Sequence, residues 1–283
     1  FLRPARVAGA GVRVGTIEGD GGALPREAER NTATVAARAL LEAVGEEGVG
    51  LELSLRKGLP LSSGLGGSAA SAVAAVVAVD RLLGLGLAQA DLLEAALRGE
   101  AIASGARHAD NVAPCLLGGF VLVRSVEPVD VVPLSFPEEL AFALIHPQVE
   151  VATRAARGLL PDALPLSTAV AQWANLGAFV AALHQGDWEL LGRSMVDRVA
   201  EPARRHLVPG YDAVIDAAKA AGAAGANLSG SGPTIYALCR GRETAEETAR
   251  AMAETFRRET DLSCRGWASG VSAEGARVEA EEG

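Results

Sequence analysis

The stretch PLSSGLGGSAASAVAAVVAVD, Pro60 to Asp80, limits the folds open to this chain more than any other. Glycines at 64, 66 and 67 reach backbone conformations closed to other residues, and with no Cβ in the way they let a ligand come close to the peptide N–H groups. Small apolar residues with helical spacing come directly after them. A helix beginning near Ala69, with Ser68 at its start, would point its unpaired first N–H groups and the positive end of its dipole into the loop. An anion, phosphate above all, suits that geometry. The same residues also admit an ordinary explanation, in which the serine caps the helix and the glycines make a turn.

Two familiar phosphate patterns test the loop. G-x-x-x-x-G-K-[ST] fails, because no lysine stands before Ser68. G-x-G-x-x-A matches at Gly64, Gly66 and Ala69, but it requires an acidic residue ending the next strand. The next segment of this chain reads as another helix, and Asp80 falls within or at the end of the first. The match is coincidental.

Length and charge narrow the remaining classes. A chain of 283 residues accommodates one large domain or two ordinary ones, burying roughly 75% of its unfolded surface. Acidic residues number 35 against 26 basic, for a formal charge of −9, and arginines are scattered. That argues against nucleic acid or an anionic membrane as a partner. The longest apolar run, Ala69 to Val79, broken only by Ser71, is far shorter than the ~20 residues of a membrane span, and no signal peptide opens the chain. The expectation is a soluble cytoplasmic protein. Cys115, Cys239 and Cys264 are odd in number and far apart, so they suggest buried small side chains rather than a disulfide framework or zinc site.

Strand-like and helical patterns alternate, which favours α/β or α+β. Gly50 to Leu55, Gly119 to Arg124, Leu140 to Pro147 and CRGWASGV read as strands. Asn31 to Val44, Leu87 to Ser104 and Glu243 to Glu259 read as helices, as do segments before about Ala221. Pro133 and Pro137 interrupt the pattern and place a boundary at 138/139.

The loop resembles the phosphate-binding motif of the GHMP kinases, P-x-x-x-G-L-G-x-S-A-A, whose fixed positions are all present from Pro60 through Gly64, Leu65, Gly66, Ser68, Ala69 and Ala70. A second motif of that superfamily appears about 160 residues later as NLSGSGPT, Asn227 to Thr234. RHADNVAPCLLGGF, Arg107 to Phe120, and EPARRHLVPGY, Glu201 to Tyr211, are similar to segments of the homoserine kinase family. The resemblance implies an α+β, two-domain GHMP kinase fold: a ribosomal-protein-S5-like ATP-binding domain over 1–138 and a ferredoxin-like domain over 139–283. It implies transfer of the γ-phosphate of ATP, with Mg2+, to the side-chain hydroxyl of L-homoserine, on the way to threonine. A homodimer is compatible with it.

The resemblance also assigns roles. Ser68, Glu100 and Asp110 are the candidate catalytic residues, Ser68 and Glu100 as oxygen ligands of magnesium. Pro60, Leu61, Ser62, Ser63, Gly64, Leu65, Gly66, Gly67, Ser68, Ala69 and Ala70 would cradle the nucleotide phosphates, with Asn31 and Lys57 near adenine or ribose. Asp110, Asn111, Thr153, Arg157, Arg204, Ser231 and Gly232 would hold the amino-acid substrate, since an ammonium needs an anion and a carboxylate pairs with guanidinium. Arg205 adjoins Arg204, which leaves that register open by one. His108 would order its loop; His146, His184 and His206 read as structural or solvated. No general base stands out. Two departures are visible: Gly67 stands where many relatives carry serine, and the family's opening P-x-T-x-A-N-L-G-P-G-F-D segment is absent from FLRPARVAGAGV. The expectation is a native chain that starts upstream, with strand-like VRVGTIEG needing an N-terminal partner. Alternatives are a GHMP kinase for an isoprenoid or sugar alcohol and an inactive nucleotide-binding regulator.

Overall fold

Helices form where apolar spacing and a chain-reversing residue agree. The first, α1 (Thr32–Val44), opens with the Asn31 side chain accepting from the Ala33 N–H and closes on left-handed Gly45. Helix α2 (Gly67–Leu83) ends at Gly84 and α3 (Gln89–Ser104) at Gly105 in the same way. The computed structural model describes residues 1–149, 156 and 158–279. Thr153 and Arg157, expected at the substrate, lie outside the described residues.

Two units are present, and they are not contiguous in sequence. The first comprises Phe1–Leu61, Gly66–Pro133 and the residues from Ser272; the second comprises Ser62–Leu65 and Leu134–Val271. The interrupting prolines suggest a single cut, whereas the chain crosses at 61/62, 65/66, 133/134 and 271/272. Hydrogen bonds account for two of these excursions. Thr234 N donates to Ser63 O and Ser229 Oγ to Gly64 O, while Gly119 N donates to Ser272 O and Ala276 N to Cys115 O.

In the first unit, β1 (Leu2–Arg6), β2 (Gly11–Glu18) and β3 (Gly50–Arg56) form a sheet in the order β1-β3-β2. Strand β1 pairs antiparallel with β3, Leu2 opposite Leu55. Strand β2, the VRVGTIEG segment, runs parallel to β3 at a sheet edge, the crossover being α1. Alternation in GLELSL turns Leu51, Leu53 and Leu55 inward, against Ala36, Leu40, Ala72, Val76 and Leu97 of the three helices. Short α4 (Val112–Leu117) leads into a hairpin of β4 (Phe120–Val126) and β5 (Val129–Leu134).

The second unit opens with β6 (Leu140–Pro147), then α5 (Leu166–Gln185), α6 (Trp188–Ser194), α7 (Ala200–Arg204) and α8 (Tyr211–Ala220). It continues with β7 (Gly225–Leu228), β8 (Ile235–Arg240), α9 (Arg242–Thr260) and β9 (Cys264–Gly270). The four strands lie in the order β7-β8-β6-β9 with every neighbour antiparallel, which is ferredoxin-like topology. Val214 and Ala218 of α8 and Ala249, Met252 and Phe256 of α9 bury against Ala143, Ile145, Ile235 and Ala237 of the sheet. Cys239 and Cys264 are buried here, and Cys115 is partly buried in the first unit.

One helix among the described residues, α5, is long and apolar enough to cross a membrane by length and composition. A search for uninterrupted apolar runs passes over it because Ser167, Thr168, Gln172 and Asn175 break the run.

Candidate active site

The phosphate-type loop takes its shape from contacts at both glycine motifs. Gly64 has φ +77°, and a Cβ there would overlap the carbonyl oxygen of Ser229. Only glycine permits that approach. Ser229 Oγ donates to Gly64 O at 2.8 Å, and Ser63 Oγ accepts from Leu65 N at 3.3 Å. The two glycine-rich segments, 165 residues apart at these atoms, are thus one construction in the second unit. Gly232 N donates to Ser229 O, which closes the turn carrying Ser231.

In the first unit the loop residue before α2 is Gly66, which acts as N-cap at φ +69° without any side-chain cap bond. This corrects one expectation and removes the capping alternative. The helix starts at Gly67 rather than near Ala69, and Ser68 is inside its first turn instead of capping it. Freed from capping, the Ser68 hydroxyl donates to Glu100 Oε1 at 3.0 Å. Glu100 is 7% exposed on α3, so a carboxylate from a second helix is held against the start of α2.

Lys57, the residue expected at adenine or ribose, comes immediately after β3. Its ammonium donates to Gly67 O and, at 2.6 Å, to Ser71 Oγ, so it braces the first turn of α2 from the side. Burial pushes the Lys57 pKa down, and the Glu100 carboxylate acts in the opposite direction. Asn31, the other residue expected there, donates its amide N–H to Pro25 O at 2.9 Å and accepts from Ala33 N at 3.1 Å, which starts α1.

Asn111 precedes α4 with its side chain exposed, and its Oδ1 lies 2.9 Å from where a Cβ on Gly66 would be. Asp110 beside it is exposed too. Lys57, Gly66, Ser68, Glu100 and Asn111 therefore surround one helix start, which carries the helix dipole, a half-buried ammonium, a hydroxyl and a carboxylate. Ser68 and Glu100 offer the hard oxygen donors magnesium takes alongside phosphate and water oxygens. Among the described residues no group of three or more His, Cys, Asp or Glu side chains forms an all-protein metal cage.

In the second unit the paired arginines differ in burial and partners. Arg204 is 8% exposed, with Nε donating to Ala156 O at 2.9 Å and Nη1 to Gly230 O at 3.3 Å. Arg205 is exposed and pairs with Asp212 at 3.3 Å. Arg204 lines a cavity of about 260 Å3 together with Asn175, Ser194, Asp197, Glu201 and Asn227. A polar network that the residue-by-residue reading missed forms its wall. Asn227 Nδ2 donates to Glu201 Oε2 at 3.2 Å and to Met195 O at 3.3 Å, and Tyr211 Oη donates to Asn227 Oδ1 at 3.3 Å. Burial raises the Glu201 and Tyr211 pKa values and pushes Tyr236 up to about 12. The signal was present in the sequence: Glu201 and Tyr211 are the ends of EPARRHLVPGY, and Asn227 opens the second glycine motif.

Known proteins share both the sequence and the fold. Residues 31–119 match the GHMP kinases N terminal domain and residues 179–258 the GHMP kinases C terminal family. A homoserine kinase of Chlorobium phaeobacteroides is 44% identical over 273 residues, covering 94% of this chain and 85% of that protein. One from Thermococcus kodakarensis is 44% identical over 245 residues, covering 85% and 80%. The crystal structure of homoserine kinase from Cytophaga hutchinsonii superposes with a TM-score of 0.92 at 48% identity, covering 96% of this chain and 86% of that one. A mevalonate kinase of L. major, at 18% identity and a TM-score of 0.71, shares the fold. With two glycine motifs joined by hydrogen bonds, a serine–glutamate pair at a helix start and this similarity over most of its length, the chain belongs to the GHMP kinases and, within them, to the homoserine kinase family.

Proposed function

We propose that the chain transfers the γ-phosphate of ATP to the side-chain hydroxyl of L-homoserine, giving O-phosphohomoserine and ADP. The oxygen of the alcohol forms the new bond to phosphorus as the bond to the β,γ-bridging oxygen breaks, ADP leaves with that oxygen, and the hydroxyl proton passes to solvent. Such a transfer asks little covalent chemistry of a protein; in-line positioning and stabilisation of charge supply the rate. The first turn of α2 with its preceding loop, Pro60 to Ala70, holds the phosphates on backbone N–H groups, and Lys57 adds positive charge beneath that turn. Ser68 and Glu100 hold magnesium, which when bound withdraws charge from the phosphate oxygens. Asp110 and Asn111 receive the ammonium end of the substrate, and Arg204, with Thr153, Arg157, Ser231 and Gly232, receives its carboxylate end.

The observation that carries this reading is the Ser68–Glu100 hydrogen bond at an N-terminus whose cap is a bare glycine. A plain turn-and-cap has no use for a buried carboxylate there. The test supplies purified protein with ATP, magnesium and either homoserine or mevalonate and monitors product by phosphorus NMR. Phosphohomoserine should accumulate with mevalonate left untouched. Equal turnover of mevalonate would remove the amino-acid assignment, and no turnover of either would favour the inactive regulator.

A further inference from the structure

His146, near the end of β6, is a buried titratable side chain to which the phosphoryl-transfer site gives no task. The β6–β8 ladder ends with Ile145 opposite Ile235, and one further step in that register puts His146 opposite Thr234. Side chains at directly opposed strand positions share a face and touch. His146 Nδ1 and Thr234 Oγ1 accordingly share a hydrogen bond at 3.1 Å. Burial, with the Arg265 charge facing from β9, holds the His146 pKa below its ordinary value. At neutral pH the ring is therefore uncharged, and its two tautomers let Nδ1 either donate to the hydroxyl or accept from it.

Thr234 matters because its backbone reaches both glycine-rich segments. Its N–H donates to Ser63 O at 3.3 Å, and its carbonyl accepts from Ser229 N at 2.8 Å. Ser229 in turn donates its hydroxyl to Gly64 O at 2.8 Å. Residues 62–65 of the phosphate-type loop are thus tied, within the second unit, to one threonine. That threonine is fully buried, so its hydroxyl has no water to turn to if the histidine is lost. A hydroxyl bonded to a strand 88 positions away fixes the threonine rotamer, and with it the backbone on either side.

We propose, on the kinase reading given above, that His146 is a positioning residue for nucleotide binding: through the Thr234 hydroxyl it fixes the backbone that holds Ser63 and Gly64, and so keeps the phosphate loop in its binding shape. The effect falls on ATP more than on homoserine. The turn carrying Ser231 is closed by its own bond from Gly232 N to Ser229 O, whereas Ser63 O depends on the Thr234 N–H.

Steady-state kinetics of the full chain with MgATP and homoserine tests this, with circular dichroism confirming that each variant folds. His146→Leu removes the imidazole and should raise KM for MgATP by roughly tenfold, the scale of leaving a buried hydrogen-bonding group unmet. Its kcat and its KM for homoserine should stay within about threefold of the parent. A role in packing alone would lower stability and leave KM for ATP as it was. His146→Asn sets an amide near where Nδ1 stands, which both donates and accepts, and should bring KM back to within about twofold of the parent. Thr234→Val removes the other half of the same bond and should act like His146→Leu, with the double variant no worse than either alone. Should His146→Leu fail to fold, Thr234→Val carries the test with the same expected KM. A parental KM for ATP in the folded variant, or an Asn variant as impaired as the Leu variant, would overturn the proposal and leave the kinase reading standing. Additive losses in the double variant would overturn the path through Thr234. A parent that phosphorylates no homoserine would overturn the proposal together with the reading it rests on.

Discussion

At the scale of single residues, environment rather than residue type separates the acids of this chain. Most are surface charges, but Glu100 is buried against the Ser68 hydroxyl. Ser68→Ala and Glu100→Gln are expected to lower the phosphorylation rate by roughly ten- to a thousandfold each, the range for losing a transition-state charge contact. Saturating-magnesium turnover with melting curves alongside checks this; parental rates would remove both residues from the metal role. Glu201 behaves differently, because burial holds its pKa above the usual carboxylate value. A raised folded pKa means that this group favours the folded state below the unfolded value and that the benefit disappears as pH rises through the folded value. Glu201→Gln cannot ionise and keeps an acceptor for Asn227. Its stability relative to the parent should therefore be greater at about pH 7 than at about pH 4, as read by urea unfolding. A gap independent of pH would contradict the buried-charge account.

At the scale of elements, the loop before α2 contains two left-handed glycines with different neighbours. A Cβ on Gly64 meets the backbone oxygen of Ser229, while one on Gly66 meets the movable tip of Asn111. The left-handed conformation costs about 1–2 kcal/mol for any L residue, so Gly66→Ala should lose that amount. Gly64→Ala carries the same cost plus overlap with a carbonyl that cannot move aside, and should exceed about 3 kcal/mol in urea titrations. Equal losses would mean that Ser229 yields. Periodicity makes the long elements legible: Asn31 to Val44, Leu140 to Pro147 and CRGWASGV all lie where the strands and helices are. The start of α2 falls two residues earlier than its apolar spacing suggests because helix ends depend on cap geometry, and a glycine cap leaves no side-chain signal. The capping bonds of Asn31 were out of reach for a related reason, since an asparagine's partners are not written in residue order.

At the scale of the whole molecule, ligand linkage separates nucleotide classes that the glycine pattern leaves open. A ligand bound only by the folded protein stabilises by RT ln(1 + [L]/Kd), about 2.7 kcal/mol at a hundredfold excess over Kd. MgATP should raise the melting temperature, homoserine should raise it further, and NAD and NADP should leave it unchanged; stabilisation by NAD with indifference to ATP would reverse the assignment. The sequence by itself determined the family and the glycine-rich loop that opens α2, because such a loop and the helix it opens are local and need only a few adjacent residues. Tertiary structure alone decided what those residues face. It joined Gly64 to Ser229 across 165 positions, buried Arg204 while leaving Arg205 exposed, turned Lys57 under the helix start and gathered Glu201, Tyr211 and Asn227 into one network. The physical reason is that burial and hydrogen-bond partners belong to the packed chain, and residue order carries no record of which side of a helix the packing will cover.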